Sequence, residues 1–593
     1  MTNPAILERQ IDHVDHGADA PRRAGLNVLT VNVEDYYQAA VFHRFIQAKN
    51  WYRFDSRLQA NVEELLQLLE LHKTQATFFV LGWIAEMYPE LVRRISDLGH
   101  EVASRGYLHQ RITQLSRRDR LNDLIRSRKI LEDTTGRAVN GYRQADGWFR
   151  QGDLWVLEDV IEAGYLYDSS LMPRRRDSGG DPDPRTIHLR SAPSGQLFEV
   201  PPSTLPFAGS WLPIAGGNYQ RQFPHALMQG AVRRWMEAER SPYVMYLQTW
   251  EIDSEQPEMS AVGRFGRIRH YRNLGKYRWL LPEYLTQWKF TSIQNHSSNP
   301  NSPLAQLEQF GKQRSKPIET PAENRSDICP SSETGQANAV QSVAPDATSR
   351  VACTLVIPCY NEESSLPYLS RTLDHLRNDL SSKYDLKILF VDDCSTDTTL
   401  ELLNTLFGSD PDIRVLHHET NKGVSAAILT GLAASETEIV GSMDCDCSYD
   451  PHELQNMLPL LKDDVALVTA SPYHRDGGVR NVPAWRLTLS HGLSVLYRLL
   501  LRRKLATWTS CFRIYRRSLI LDLPLTENGF LGTAEMAAEL TLRNRNIVEH
   551  PAVLEVRLFG ASKMKTLRTI CSHLKLLKRV TIRRLLSGSS KDQ

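Results

Sequence analysis

No run of apolar residues reaches the roughly 18 needed to cross a bilayer, so no segment reads as a membrane-spanning helix. The N-terminus lacks the basic, apolar and small-residue sections of a secretory signal, and residues 1–24 read as a polar tail. Cysteine is missing from the first 328 residues. The eight that follow, at 329, 353, 359, 394, 445, 447, 511 and 571, have neither zinc-site nor disulfide-framework spacing. Reduced thiols and a cytoplasmic location are the expectation. An excess of either charge is missing too: 71 Lys and Arg against 69 Asp and Glu leave +2, which excludes a bulk nucleic-acid binder.

What is present is ordinary globular composition, 41% apolar and 24% charged, in a chain of 593 residues, too long for one hydrophobic core. A Ser-, Pro-, Asn-, Gln- and Thr-rich stretch at 295–350 reads as a flexible linker, because it cannot bury enough apolar surface to offset its ordering entropy. It separates a block at 25–294 from one at 351–563, with a tail at 564–593. Both blocks alternate strand-like and helical patterns, which predicts two parallel α/β domains. Strands are expected at 26–33, 75–81 and 243–250 in the first block. In the second they are expected at 353–360, 386–393, 413–418 and 438–444. Helices are expected at 62–72 and 89–99.

Sugar transfer from a nucleotide diphosphate calls for a divalent cation on the leaving group, held by carboxylates at a strand end facing the ligand crevice. Asp444 and Asp446, in SMDCDCSYDP, have that placement. The segments IPCYNEE, VDDCSTDTT, NKGVSAAILTGL, MDCDCSYDP and RLFGASK follow one another in the order and spacing of family 2 glycosyltransferases. The second block resembles that family over about 210 residues, and within it the dolichol-phosphate mannose synthase-like subgroup. The resemblance implies a GT-A (Rossmann-like) fold. It implies a nucleotide pocket at Pro358, Tyr360, Glu362, Asp392 and Asp393, closed by a loop of Asn421, Lys422 and Gly423. It further implies Mg²⁺ or Mn²⁺ on Asp444 and Asp446, with Asp446 coordinating directly. Arg557, Ser562 and Lys563 resemble the family's terminal basic cluster, which meets phosphate groups, and Arg513, Arg557 and Lys563 would hold the acceptor phosphate. Two departures fall in TWTSCFRIYRR, where Thr507 replaces an expected acid and Cys511 a glycine.

Two acceptor classes follow. A polyprenyl phosphate arrives already ionised, since its second pKa is about 6, and needs no general base. A glycan hydroxyl needs a carboxylate to take its proton, and Glu535 is the candidate. The tail after Lys563 has leucines at helical spacing interleaved with Lys575, Lys578, Arg579, Arg583 and Arg584. It reads either as a basic amphipathic helix on an anionic membrane face or as a helix packed on its own domain.

The first block carries VNVEDYYQAAVF, SRGYLH, GYRQADGWF, YDSSLMP, EVPPST and YLQTWEIDSEQP in order. In this it resembles polysaccharide deacetylases of the exopolysaccharide-associated branch, which implies a deformed (β/α) barrel. The family hydrolyses N-acetyl groups with water on a metal held by one Asp and a His-x-x-x-His pair. Asp35 and His109 keep their places, but Arg105 stands for the first histidine, and a guanidinium has no lone pair to give. Gln248 replaces the late catalytic histidine, Arg143 is kept, and Glu34 is the remaining neighbouring base. The expectation is a non-hydrolytic domain without bound Zn²⁺. The whole chain then reads as a glycosyltransferase of cell-surface or exopolysaccharide synthesis, using a nucleotide sugar and a polyprenyl phosphate or glycan. Two alternatives are a true bifunctional glycosyltransferase and N-deacetylase, and a non-catalytic scaffold.

Overall fold

The computed structural model of the protein describes residues 26–173, 184–307, 309, 350–482, 484–560 and 566–589. The tail at 1–24, most of the expected linker, Ser562 and Lys563 lie outside the described residues. Two compact units result. The described parts of 26–33, 62–252 and 275–309 form one, and those of 34–61, 253–274 and 350–589 form the other. The units thus depart from the expected division, because 34–61 and 253–274 cluster with the second block.

The first unit is built on a sheet in the order Val244–Gln248, Asn27–Val33, Thr77–Val80, Glu101–Ser104, Gly141–Tyr142, Tyr167–Asp168, Gly195–Glu199 and His188–Ala192. All neighbours in this order run parallel except the last pair, which is an antiparallel hairpin. Asn27–Val33 is buried along its whole length, as a parallel strand covered on both faces must be. The helix Pro89–Asp97 starts on a proline at its first position, where the missing N–H costs nothing. This parallel α/β sheet with interleaved helices is the wall of a deformed (β/α) barrel. Leu304 and Leu307 are buried in one cluster with Val28, Phe79 and Ile293, so the packed core runs past the expected end at residue 294.

The second unit has a seven-stranded sheet in the order Ile413–His417, Tyr384–Asp392, Val351–Cys359, Ile439–Ser442, Arg513–Arg516, Val465–Ser471 and Asn546–Pro551. Arg513–Arg516 is antiparallel to both neighbours. The strand Val351–Cys359 shows why two layers of helices form. Cys353, Leu355, Ile357 and Cys359 pack on one face with Leu366, Leu369 and Leu373 of the helix Leu366–Leu380. Val356 faces the opposite way, against Ala427 and Ile428 of the helix Val424–Ala434. The period of two along a strand directs alternate residues to opposite layers. Chain order along the sheet reverses between Val351–Cys359 and Ile439–Ser442, and the crevice beyond such a switch point is where α/β sheets bind ligands. This is the GT-A arrangement.

Candidate active site

The site is assembled from strand ends on the second unit's sheet. Pro358 is paired with Val391 near the end of its strand, beyond the four residues joined to Ile439–Ser442, where a missing N–H is tolerated. Tyr360 follows it and is exposed. Glu362 has its backbone N–H bound to Thr399 Oγ1 at 2.8 Å, and its carboxylate accepts from Ser365 Oγ at 3.0 Å.

Asp392 ends the neighbouring strand and is fully buried. Its Oδ2 accepts from His417 Nδ1 at 2.8 Å and from the Ser395 N–H at 3.2 Å. Its Oδ1 is buried with no hydrogen-bond partner among the described residues. Asp393 is committed to shaping a loop, for it accepts from the Lys422 and Gly423 N–H groups at 2.8 and 2.7 Å and from His418 Nδ1 at 2.8 Å. Asn421 Nδ2 closes the same turn onto the Asp393 carbonyl at 3.1 Å. Gly423 has φ +98°, and a Cβ there would lie 2.7 Å from the Asn528 carbonyl oxygen, so only glycine fits.

Asp444 and Asp446 follow Ile439–Ser442 at the switch point. Burial, reinforced by the charge of Asp446, pushes the Asp444 carboxyl up to about 7. Asp446 Oδ1 accepts from the Ser448 N–H at 2.9 Å and Ser448 Oγ at 2.6 Å, while Oδ2 is ion-paired with Arg557. Arg557 also faces Glu362 at 3.6 Å. The structure therefore brings Glu362, Asp444, Asp446 and Arg557 into one cluster.

Two sequence expectations need correction. Arg513 is wholly buried and donates to the Trp508 carbonyl at 2.7 Å and to the Thr533 carbonyl, so it braces the fold and presents nothing to an acceptor. Glu535 is 1% exposed; it accepts from the Thr526 N–H and Oγ1 and the Glu527 N–H at 2.8–2.9 Å, and pairs with Arg579 at 2.8 Å. A carboxylate so occupied has no lone pair free for an acceptor proton.

A cavity opens beside Asp446 and Cys447. Its walls include Lys49, Arg53, Tyr368, Asp450, Arg480, Glu555 and Leu558. Lys49, Arg53 and Arg480 escaped the sequence reading. Nothing in QAKNWYRF or GGVRN marks these residues, because neither stretch adjoins a transferase motif and only the fold brings them to Asp446.

In the first unit, Arg105 is buried with Nη2 donating to the Ala145 carbonyl at 2.7 Å and lying 3.5 Å from His109 Nε2. Arg143 is also buried. It donates to Thr30 Oγ1, Asn32 Oδ1 and Ser169 Oγ at 2.7–3.0 Å, and burial holds it down to about 9. Gln248 is paired in register with Asn32, and its N–H donates to Glu251 at 3.1 Å. In the second unit, Glu34 and Asp35 are buried. Asp35 accepts from the Tyr36 N–H, Ser56 Oγ and the Arg57 N–H at 2.7–3.0 Å, and burial pushes it up to about 6.

Residues 354–523 match Glycosyl transferase family 2, residues 48–160 match Polysaccharide deacetylase, and residues 169–297 match a Domain of unknown function (DUF3473). The polyprenol monophosphomannose synthase of Mycolicibacterium smegmatis is 31% identical over 217 residues, 35% of this chain and 80% of that protein. The undecaprenyl-phosphate mannosyltransferase of Micrococcus luteus is 31% identical over 215 residues, covering 35% and 86%. The dolichol-phosphate mannosyltransferase of Pyrococcus furiosus is 26% identical, and the chain spans 63% of its length. Solved structures with likeness include a proposed polysaccharide deacetylase from Mycobacterium smegmatis, at TM-score 0.31, 19% identity, and 52% and 98% coverage. Another is glucosyl-3-phosphoglycerate synthase from Mycobacterium tuberculosis, at TM-score 0.29, 22% identity, and 40% and 79% coverage. TM-scores this low lend no weight to either function.

Proposed function

Since this chain belongs to glycosyl transferase family 2, with a polysaccharide deacetylase-like domain ahead of the transferase, we propose that it moves a sugar from a nucleotide diphosphate to a polyprenyl phosphate. The observation that carries this reading is the Asp444–Asp446 pair at the switch point of the sheet, in a domain 31% identical to a polyprenol-phosphate mannose synthase. Mannose is accordingly the first sugar to test.

Asp444 and Asp446 would hold Mg²⁺ or Mn²⁺. Carboxylate oxygens are the donors such hard cations take, and a cation would offset the burial and the neighbouring Asp446 charge that push Asp444 up to about 7. When bound there, a divalent ion would supply positive charge for the departing diphosphate. The residues themselves divide the remaining work. Asp393 sets the 421–423 loop over the nucleotide, and Asp392 ends the neighbouring strand beside that loop. Arg557 offers a guanidinium to phosphate beside Asp446. The acceptor phosphate oxygen then bonds to the anomeric carbon as the bond to the diphosphate breaks, and the diphosphate leaves with the electron pair. No base is needed, because the phosphate is ionised at neutral pH. The occupied state of Glu535 favours this acceptor over a glycan hydroxyl.

The helix Thr566–Ser589 bears on the location. His573, Leu576, Leu577 and Val580 are buried, whereas Leu574, Lys575, Lys578 and Ile582 are exposed. The inner face packs on the helix's own domain, and the exposed lysines of the outer face are the part we propose meets an anionic lipid surface at the cytoplasmic side. Among the described residues no helix is long and apolar enough to cross a membrane. For the first unit we propose a non-hydrolytic, glycan-binding or organising role, since the buried Arg105 guanidinium beside His109 opposes a cation.

The test is a donor panel. Nucleotide release and product formation are measured for each nucleotide sugar with Mg²⁺ or Mn²⁺, with polyprenyl phosphate or an oligosaccharide present. Prenyl-phosphate-dependent turnover of one donor is expected. Exclusive labelling of the oligosaccharide would refute the acceptor assignment.

A further inference from the structure

The cavity beside Asp446 has an uneven charge balance. Four of its carboxylates have cationic or imidazole partners. Asp446 is paired with Arg557, Asp450 with Arg53 at 2.7 Å, Glu453 with His550 at 2.8 Å, and Glu555 with Arg480 at 3.4 Å. Lys49 is the wall cation left over: it is exposed, and no ion pair among the described residues engages it. Aromatic contacts anchor the turn that carries it. The 3-10 turn Ala48–Arg53 carries it, and Tyr52 of that turn packs at a tilt against His375 with ring centroids 4.0 Å apart. Phe54, which ends the turn, packs against Tyr368 and Phe559 at 5.0 and 6.3 Å. The cavity also has an apolar side, made of Val553, Val556 and Leu558.

An exposed ammonium, an apolar stretch of wall and Asp446, all lining one cavity, suit a ligand with a phosphate head and a hydrocarbon stem. We infer that Lys49 is the residue that receives the phosphate of the prenyl acceptor, with the first isoprene units lying along Val553, Val556 and Leu558. The inference rests on the polyprenyl-phosphate reading above and assigns it a residue outside every transferase motif. With Arg513 buried in the fold, Lys49 takes over the acceptor-holding role that the sequence suggested for that arginine.

The experiment uses the full chain, Lys49→Glu and Lys49→Arg, with the active nucleotide sugar and a water-soluble short-chain prenyl phosphate. Acceptor KM, donor KM and kcat are measured separately. Lys49→Glu should raise acceptor KM about tenfold or more, the loss of one charge-assisted phosphate contact, and move donor KM by less than about twofold. Lys49→Arg should restore most of the acceptor affinity. An unchanged acceptor KM, or a rise in donor KM instead, overturns the role of Lys49 while transfer by the unaltered chain leaves the acceptor class standing. If the unaltered chain transfers nothing to any prenyl phosphate, the acceptor class falls and takes this inference with it.

Discussion

Arg513 and Arg557 lie in the same half of the transferase and share one expected role on sequence grounds, yet their surroundings give them opposite ones. Arg513 spends its guanidinium on backbone carbonyls inside the fold, while Arg557 reaches Asp446 and Glu362 in the site. Arg513→Met should therefore destabilise the protein by about 1–3 kcal/mol, from carbonyls left without donors, and lower Tm in a thermal melt. If acceptor KM rises instead with Tm unchanged, Arg513 touches substrate after all. Asp446→Asn should cut transfer by about 10²-fold or more, because a site carboxylate loses its charge. Nucleotide release with and without chelator checks it, and equal turnover in both proteins would remove the proposed chemistry. The Asp444–Asp446 pair was legible because acids two residues apart after a buried strand are a local pattern. The occupied state of Glu535 was not legible, since its partners Thr526, Glu527 and Arg579 are brought to it by a turn and a separate helix.

The element whose behaviour is most open to measurement is the helix Thr566–Ser589. Its inner face includes His573, whose Nδ1 lies 3.0 Å from the Tyr497 hydroxyl, and burial holds this imidazole down to about 4 against an ordinary 6.5. A depressed histidine makes docking strongest above pH 6.5 and progressively weaker as the pH falls toward 4, because the released helix binds the proton more readily. Hydrogen-exchange protection factors of this helix, which divide out the intrinsic pH dependence of exchange, should fall across that window, and His573→Gln should flatten the dependence. On the outer face, Lys575→Glu with Lys578→Glu should abolish salt-sensitive binding to anionic vesicles, measured by co-sedimentation, and leave the melting temperature unchanged. Binding that ignores both the charge reversal and the salt would contradict the membrane role. The helical spacing was visible in the sequence. That one helix serves both a core and a solvent face depended on which leucines the neighbouring helices cover.

The whole molecule joins a transferase with its strand-end acids in place to a deacetylase-like domain in which a guanidinium, Arg105, is buried beside His109. The non-hydrolytic role proposed for that domain rests on Arg105 beside His109, and Arg105→His should raise the zinc content of purified full-length protein above that of the unaltered chain. Stoichiometric zinc in the unaltered protein, with acetate released from N-acetylated glycans, would instead make the chain truly bifunctional. The division into units is also a whole-molecule property. Composition marked a boundary at the linker, whereas packing assigns 34–61 and 253–274 to the second unit. A linker is a statement about local entropy, while a unit is defined by long-range contacts that composition does not encode.

The amino-acid order alone determined the two α/β folds and the strand-end acids, because strand periodicity and side-chain chemistry act over a few residues. Tertiary structure alone decided which arginines are structural, that Glu535 is occupied, and that Lys49 stands near Asp446 almost four hundred positions away. Those outcomes depend on which surfaces meet when the sheet and its helices close, and proximity of that kind leaves no mark in a local motif.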